Sequence, residues 1–264
     1  MQDRCSCGPR SVSRREALKY AAAAPAILAL GSAAATMAAP KVLAANGIAG
    51  KIVFLDPGHN GANDASINRQ VPDGRGGTKE CQTTGTATDD GYPEHTFNWE
   101  VVLLIREALT RAGVRTALSR GNDDALGPCV DTRAAMANAL TPDAVVSIHA
   151  DGGPPSGSGF HVNFSDPPVT EAQAGPAVQF AKVMRDQLVA SGLQTSTYRG
   201  SGGLYGRSDL AGLNLAQYPS ILIELGNMKN AVEAAQLKSP ERRVGYAAAV
   251  AQGIANYLSQ TPSH

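Results

Sequence analysis

The chain has no surplus of either charge: 23 Lys and Arg stand against 23 Asp and Glu. Six of the basic and two of the acidic residues precede Asn46, so the part that follows carries four more acidic than basic groups. Without a basic surplus, a nucleic acid duplex or an anionic membrane surface is not the expected partner. The sequence beyond residue 45 also lacks biased tracts, internal repeats and any linker, which excludes a disordered chain, a solenoid and a second domain. Cysteine is scarce, with four in 264 residues. What remains is ordinary globular material, 43% hydrophobic and 17% charged, enough to bury one core.

The first 45 residues differ in kind. Ser13, Arg14, Arg15, Glu16, Ala17, Leu18, Lys19 and Tyr20 precede an apolar run from Ala21 to Ala39, with small residues again at Ala44 and Ala45. This resembles a twin-arginine export signal, with Ala17 where an aromatic residue or Leu is more usual. The run is long enough to span a bilayer. Ala dominates it, however, and is barely apolar on insertion scales, so a cleaved signal is expected in place of a retained anchor. No Cys directly follows the run, so no lipid attachment is expected. Residues 1–45 are thus read as signal and 46–264 as a single exported domain, destined for the periplasm, cell wall or exterior and expected to be monomeric. Cys5 and Cys7 would leave with the signal, and in an oxidising compartment Cys81 and Cys129 are expected to pair. In the chain-entropy account, a bridge closing a loop of that length contributes about 4 kcal/mol.

Strand and helix signals alternate along the rest. Ile52 to Leu55 reads as a buried strand, cut off by Pro57 and Gly58. Asn60 to Asp90, rich in Gly, Asp, Asn and Thr, follows neither period and reads as a long loop of the kind that is functional or mobile. Pro93 and Glu94 open a helix whose apolar positions Phe97, Val101, Leu104, Ile105, Ala108 and Leu109 share one face, and Gly113 ends it. A strand at Val114–Leu118, a helix at Val130–Leu140 and a strand at Ala144–Ala150 follow. Gly159 to Phe164 alternates, which places Phe160, Val162 and Phe164 on an apolar face and His161 and Asn163 on a wetter one. Gln173 to Ala190 is a helix, Gly200 to Gly206 a Gly-rich loop with Tyr205 and Arg207 near its end, and Asp209 to Gln217 short-helical or irregular. A strand at Ser220–Ile223 and helices at Ala231–Leu237 and Arg242–Leu258 complete an α/β pattern.

Three strands of this pattern end in metal-binding residue types. Asp56, Pro57, Gly58 and His59 follow the first, His149 ends another, and Glu224 ends a third, while Glu94 opens a helix. Open α/β sheets place their chemistry at such strand ends. A catalytic zinc takes three ligands from His and carboxylate, with a position left for water, and a further carboxylate beside it can move the proton.

At these residues the chain resembles the zinc-dependent N-acetylmuramoyl-L-alanine amidases of the type 3 family, which cut peptidoglycan. The resemblance rests on IVFLDPGH, the helix opening at Glu94 with Asn98 behind it, RAAMANAL leading into VVSIHAD, and PSILIELGNMKN followed by an amphipathic helix. Together these cover nearly all of residues 51–258. The resemblance implies a single α/β domain, a twisted and mostly parallel mixed sheet of about six strands with helices on both faces. It implies one zinc ion held by His59, Glu94 and His149, Glu224 as catalytic base, and peptidoglycan or muropeptides as substrate. Two positions depart from the family: His95 stands where Lys often follows the ligand Glu, and Asp151 where Asn follows the SIHA run. Neighbours on a helix point about 100° apart, so only one of Glu94 and His95 can face a metal. Asp56 is expected to shape its turn by binding backbone amides. Arg133, Asn138 and Asn227 could orient substrate or ligands, or serve caps and turns. His161 and His264 read as hydrogen-bonded structural residues or exposed ones. A zinc peptidase acting within the stem peptide, or a non-catalytic peptidoglycan-binding module, would carry much the same pattern.

Overall fold

The computed structural model describes residues 47–261; the expected export segment and His264 lie outside the described residues. Among the described residues eight strands and six α-helices follow one another. In order they are β1 (Ile52–Pro57), β2 (Gln70–Pro72), β3 (Thr78–Glu80), α1 (Glu94–Arg111), β4 (Arg115–Leu118), α2 (Val130–Ala139) and β5 (Ala144–Asp151). Then come β6 (His161–Ser165), α3 (Val178–Ala190), β7 (Leu204–Arg207), α4 (Ala211–Asn214), β8 (Ser220–Asn227), α5 (Ala231–Lys238) and α6 (Pro240–Leu258). Six strands form one mixed sheet in the order β4-β1-β5-β8-β6-β7, parallel throughout except where β6 runs against β8.

The two faces of the sheet have different neighbours, and the period of two in each strand decides which residue meets which. Val53, Leu55, Val146, Ile148, Ile221 and Ile223 join the apolar stripes of α1, α3 and α6 in the main core. The alternate residues Phe54, Asp56, Ser147, His149, Leu222 and Glu224 line a cavity that also borders α2 and α4. Helix α1 shows how a stripe is read: Phe97, Val101, Ile105 and Leu109 are wholly buried, and the helix ends at Arg111, two residues before Gly113.

Four expectations need correction. The loop from Asn60 to Asp90 contains the short antiparallel hairpin β2–β3, three residues a side, too brief for alternation to reveal. The Gly-rich stretch 200–206 runs into a true strand: β7 pairs with β6 as the sixth member of the sheet, its order supplied by the neighbour and not by its own composition. The face of β6 that carries His161 and Asn163 is polar but not wet, since both are 1% exposed. The helix read from Gln173 begins as a π-helical turn, Gln173–Ala177, around Pro176, whose missing N–H removes one ladder bond. Cys81 and Cys129 are disulfide-bonded, and the backbone N–H of Val130 donates to the Cys81 carbonyl at 2.9 Å, so the bridge pins the loop beyond the hairpin to the start of α2.

Candidate metal centre and active site

The turn after β1 delivers His59 in an unusual backbone conformation. Its φ is +62°, a left-handed value that costs a residue with a Cβ and persists only where surroundings impose it. Arg133 imposes it. From α2 its buried guanidinium donates to Asp56 Oδ1 (2.7 Å), the carbonyls of Pro57 (2.9 Å) and His59 (2.7 Å), and Asn60 Oδ1 (2.7 Å). Asp56 also accepts from the hydroxyls of Ser119 (2.5 Å) and Ser147 (2.6 Å). Asp56 therefore serves the turn through side chains on α2, on β5 and just after β4, not through backbone amides. Burial works against its charge, but Arg133 and the two hydroxyls outweigh it and lower its pKa to about 2.

Three side chains meet at the end of this turn. His59 Nε2 lies 3.1 Å and His149 Nδ1 2.9 Å from the same oxygen of Glu94. Glu94 is 4% exposed and is oriented by the helix it opens: its Oε2 accepts from the backbone N–H of Thr86 (2.9 Å), while the Thr86 carbonyl accepts from the N–H of Glu94 (2.9 Å). His59 Nδ1 is 2.9 Å from the Thr83 carbonyl; a carbonyl can only accept, so Nδ1 carries a proton and Nε2 is the nitrogen turned toward the centre. Burial tends to lower the His59 pKa, and the Glu94 carboxylate raises it above its ordinary value. Burial tends to raise that of Glu94, and His59 and His149 bring it well below the carboxylate range.

These residues fit a zinc ion. Two imidazoles and one carboxylate are a catalytic zinc donor set, and one ligand atom from each lies within 4.8 Å of the others. The backbone around them leaves no room for larger residues. A Cβ on Gly58 would stand 2.2 Å from His149 Cε1, and one on Gly85, whose φ is +78°, would stand 2.9 Å from the His59 ring and 3.0 Å from Glu94 Oε2. The Thr83 carbonyl behind His59 is the kind of outer partner that fixes a ligating imidazole's tautomer.

Glu224 stands beside this group. In the parallel β5–β8 ladder it is registered opposite His149, and in the antiparallel β6–β8 ladder opposite His161, so the three side chains form one row across the sheet. Its Oε2 is buried without a hydrogen-bond partner. Burial first, then Glu94 and Asp151, push its pKa well above the ordinary value. A carboxyl poised to hold a proton at the edge of a metal-type site is suited to general acid and base work.

The remaining expected site residues separate. His95 turns from the centre to pair with Asp123 at 2.9 Å, which leaves Glu94 as the one facing the group. Asn138 borders the cavity and holds the α4–β8 connection, donating to the Leu215 carbonyl (3.0 Å) and accepting from the Gln217 N–H (3.0 Å). Asn227 ties the loop after β5, accepting from Gly153 N–H (3.0 Å) and donating to the carbonyls of Pro154 (2.8 Å) and Gly157 (2.9 Å). Among residues that sequence reasoning did not single out, Thr83 acts through its carbonyl, which residue type cannot reveal, and Arg199 reaches the cavity from an exposed loop. Among the described residues no helix is long and apolar enough to cross a membrane.

Residues 53–256 match the family described as N-acetylmuramoyl-L-alanine amidase. An N-acetylmuramoyl-L-alanine amidase of Mycobacterium tuberculosis is 68% identical over 212 residues, covering 80% of this chain and 88% of that protein. The crystal structure of the N-acetylmuramyl-L-alanine amidase Ami1 from Mycobacterium smegmatis is 70% identical and superposes with a TM-score of 0.81, over 81% of this chain and 99% of that one. The amidase AmiC2 of Nostoc punctiforme, 23% identical, has the same fold with a TM-score of 0.61, over 80% of this chain and 98% of that one.

Proposed function

The chain belongs to the N-acetylmuramoyl-L-alanine amidase family, and on that footing we propose an exported zinc amidase in which His59, Glu94 and His149 hold the metal and Glu224 moves the proton. It hydrolyses the amide joining N-acetylmuramic acid to L-alanine in peptidoglycan. The observation that carries the residue assignment is the convergence of two imidazole nitrogens on one Glu94 oxygen, with Glu224 registered beside His149.

Zinc, when bound, supplies Lewis acidity toward an amide carbonyl and lowers the pKa of neighbouring water to about 7. The chain's own residues do the rest. Thr83 keeps the Nδ1 proton on His59, Arg133 holds the strained turn, and Thr86 fixes the Glu94 carboxylate. Glu224 takes a proton from the attacking water and returns it to the leaving nitrogen, a cycle that suits a carboxyl whose affinity for protons is raised. Attack breaks the C–N bond, leaves a carboxylate on the lactyl group and releases the stem peptide with a free amine.

Product analysis of a defined muramyl peptide by mass spectrometry is the decisive experiment. A free muramyl acid and a peptide beginning with alanine are expected, with turnover lost on chelation and regained with zinc. Products that keep alanine on the sugar would make the protein a peptidase instead, and full activity in metal-stripped protein would remove the metal from the scheme. Export is tested apart from chemistry: Arg14→Lys together with Arg15→Lys should hold the protein inside the cell, and unchanged export would point to the general secretory route.

A further inference from the structure

A second piece of chemistry lies outside the metal group: the bond between Cys81 and Cys129. Its apolar cover is thin. Val71, Cys81 and Cys129 form a buried cluster of their own, with Val130 packed against it, apart from the main core. Val71 belongs to the hairpin β2–β3, three residues a side, and a two-stranded ribbon is only marginally stable by itself. Segments with few buried apolar contacts open at a fraction of the global unfolding free energy, so this bridge meets solvent far more often than a bond inside the core of α1, α3 and α6 would.

The two sulfurs are not equivalent. Arg69, an exposed residue just before the hairpin, accepts from the Cys81 N–H with its carbonyl (2.7 Å), while its guanidinium Nη2 donates to Cys129 Sγ at 2.9 Å. Disulfide sulfur is a weak acceptor, so the contact is worth little as it stands; against a thiolate the same contact becomes a charge-assisted hydrogen bond. Cys129 also directly precedes α2, and its side chain caps none of the helix's first N–H groups. A thiolate at that place gains from those donors as well. Asp131, the acid of this first turn, is answered by the hydroxyl of Thr132 at 3.3 Å. Among the described residues no such donor reaches Cys81 Sγ.

This asymmetry gives reduction a direction, because a thiol whose anion is stabilised leaves faster. We propose that the bridge is an exchange-active site for a thiol reductant. The reductant's thiolate attacks Cys81 Sγ, the S–S bond breaks, and the electron pair leaves on Cys129 Sγ as a thiolate held by Arg69. Cys81 and the reductant are then joined in a mixed disulfide. A second thiolate attacks the reductant's sulfur in that bond, releasing Cys81, which takes a proton from water, and the reductant as its own disulfide; two electrons have passed to the protein. The effect reaches the metal group, since the bridge ties the loop that carries Thr83 to the helix that carries Arg133. Reduction frees the loop between residues 60 and 90 and leaves the three ligands in place. None of this depends on the reaction at the metal.

The probe is reduced glutathione, added to the folded, zinc-loaded protein without denaturant, with iodoacetamide quenching at intervals and peptide mapping by mass spectrometry. Glutathione should be found on Cys81 and the alkyl group on Cys129. Arg69→Gln should slow the first step roughly tenfold and spread glutathione over both cysteines, and Arg69→Lys, which keeps the charge, should recover most of the rate. Thermal melting and zinc content of the oxidised variants, both expected to match the unaltered protein, separate this effect from a damaged fold. In the glutathione-treated protein, cleavage by protease between residues 60 and 90 should quicken while zinc stays bound. Glutathione mainly on Cys129, a rate indifferent to Arg69→Gln, or a bridge that is reduced only in denaturant would each overturn the exchange site. Unchanged protease resistance after full reduction would overturn the release of the loop.

Discussion

Glu224 and Gly58 show at the residue scale how function and space divide the work. Glu224 holds no partner on Oε2 and lies beside the ligand group without belonging to it. Glu224→Gln should therefore keep zinc while losing roughly 10²–10⁴-fold in turnover, the usual worth of a positioned acid and base. His149→Ala should lose the zinc itself, and metal analysis of both purified variants separates the two roles. Gly58 matters for what it lacks, since a methyl group there would sit 2.2 Å from His149 Cε1. Gly58→Ala should displace the imidazole and weaken zinc binding by roughly 10–100-fold, the size of effect found when a ligand's support is disturbed. Competition with a chelating dye measures that shift; unaltered affinity would mean the ring relocates without cost.

At the scale of elements, the disulfide and α2 act as one brace. Cys129 precedes α2, Arg133 lies one turn inside it, and Cys81 is two residues before Thr83, whose carbonyl orients His59. One covalent link thus fastens both the guanidinium that holds the His59 turn and the carbonyl that fixes its tautomer. The Cys81→Ser, Cys129→Ser double variant should remain folded with zinc bound, because the core around α1, α3 and α6 does not include the bridge. It should lose up to about 4 kcal/mol of stability. Proteolysis should quicken between residues 60 and 90, and activity on large substrates should change more than on small ones. Identical cleavage patterns in the two proteins would show that the hairpin is held by its hydrogen bonds alone, such as those of Arg75 to Asn214 and Ser165.

For the molecule as a whole, the buried charge network under the site sets a pH dependence. Asp56 has a pKa of about 2 in the folded protein against an ordinary 3.8, so the folded state holds its charge more firmly than the unfolded one. Its contribution, roughly 2 kcal/mol, is fully present above about pH 4 and is lost as pH falls through 2. Metal-free protein and its Asp56→Asn variant, compared by denaturant unfolding, should therefore differ most near neutrality and converge in strong acid. A gap that stayed constant with pH would show that Asp56 acts by hydrogen bonding alone, independent of its charge.

Sequence alone determined the alternation of strand and helix, the buried stripe of α1, and the placing of His149 and Glu224 on strands and of His59 on the turn after one, because apolar period and turn residues are local signals; it ended two strands early, since β5 runs on to Asp151 and β8 to Asn227. It also pointed to the Cys81–Cys129 pair, through scarcity and compartment. Only the tertiary structure decided that Glu94 and not His95 faces the group, since that depends on how α1 is rotated against β5 and on Asp123 drawing His95 away. It alone made β7 a strand, because the pairing partner β6 supplies the order that a Gly-rich segment lacks. And it buried His161 beside Glu224, where alternation by itself had suggested a wetter face: period two says which residues share a face of a strand, while what covers that face is fixed by segments distant in the chain.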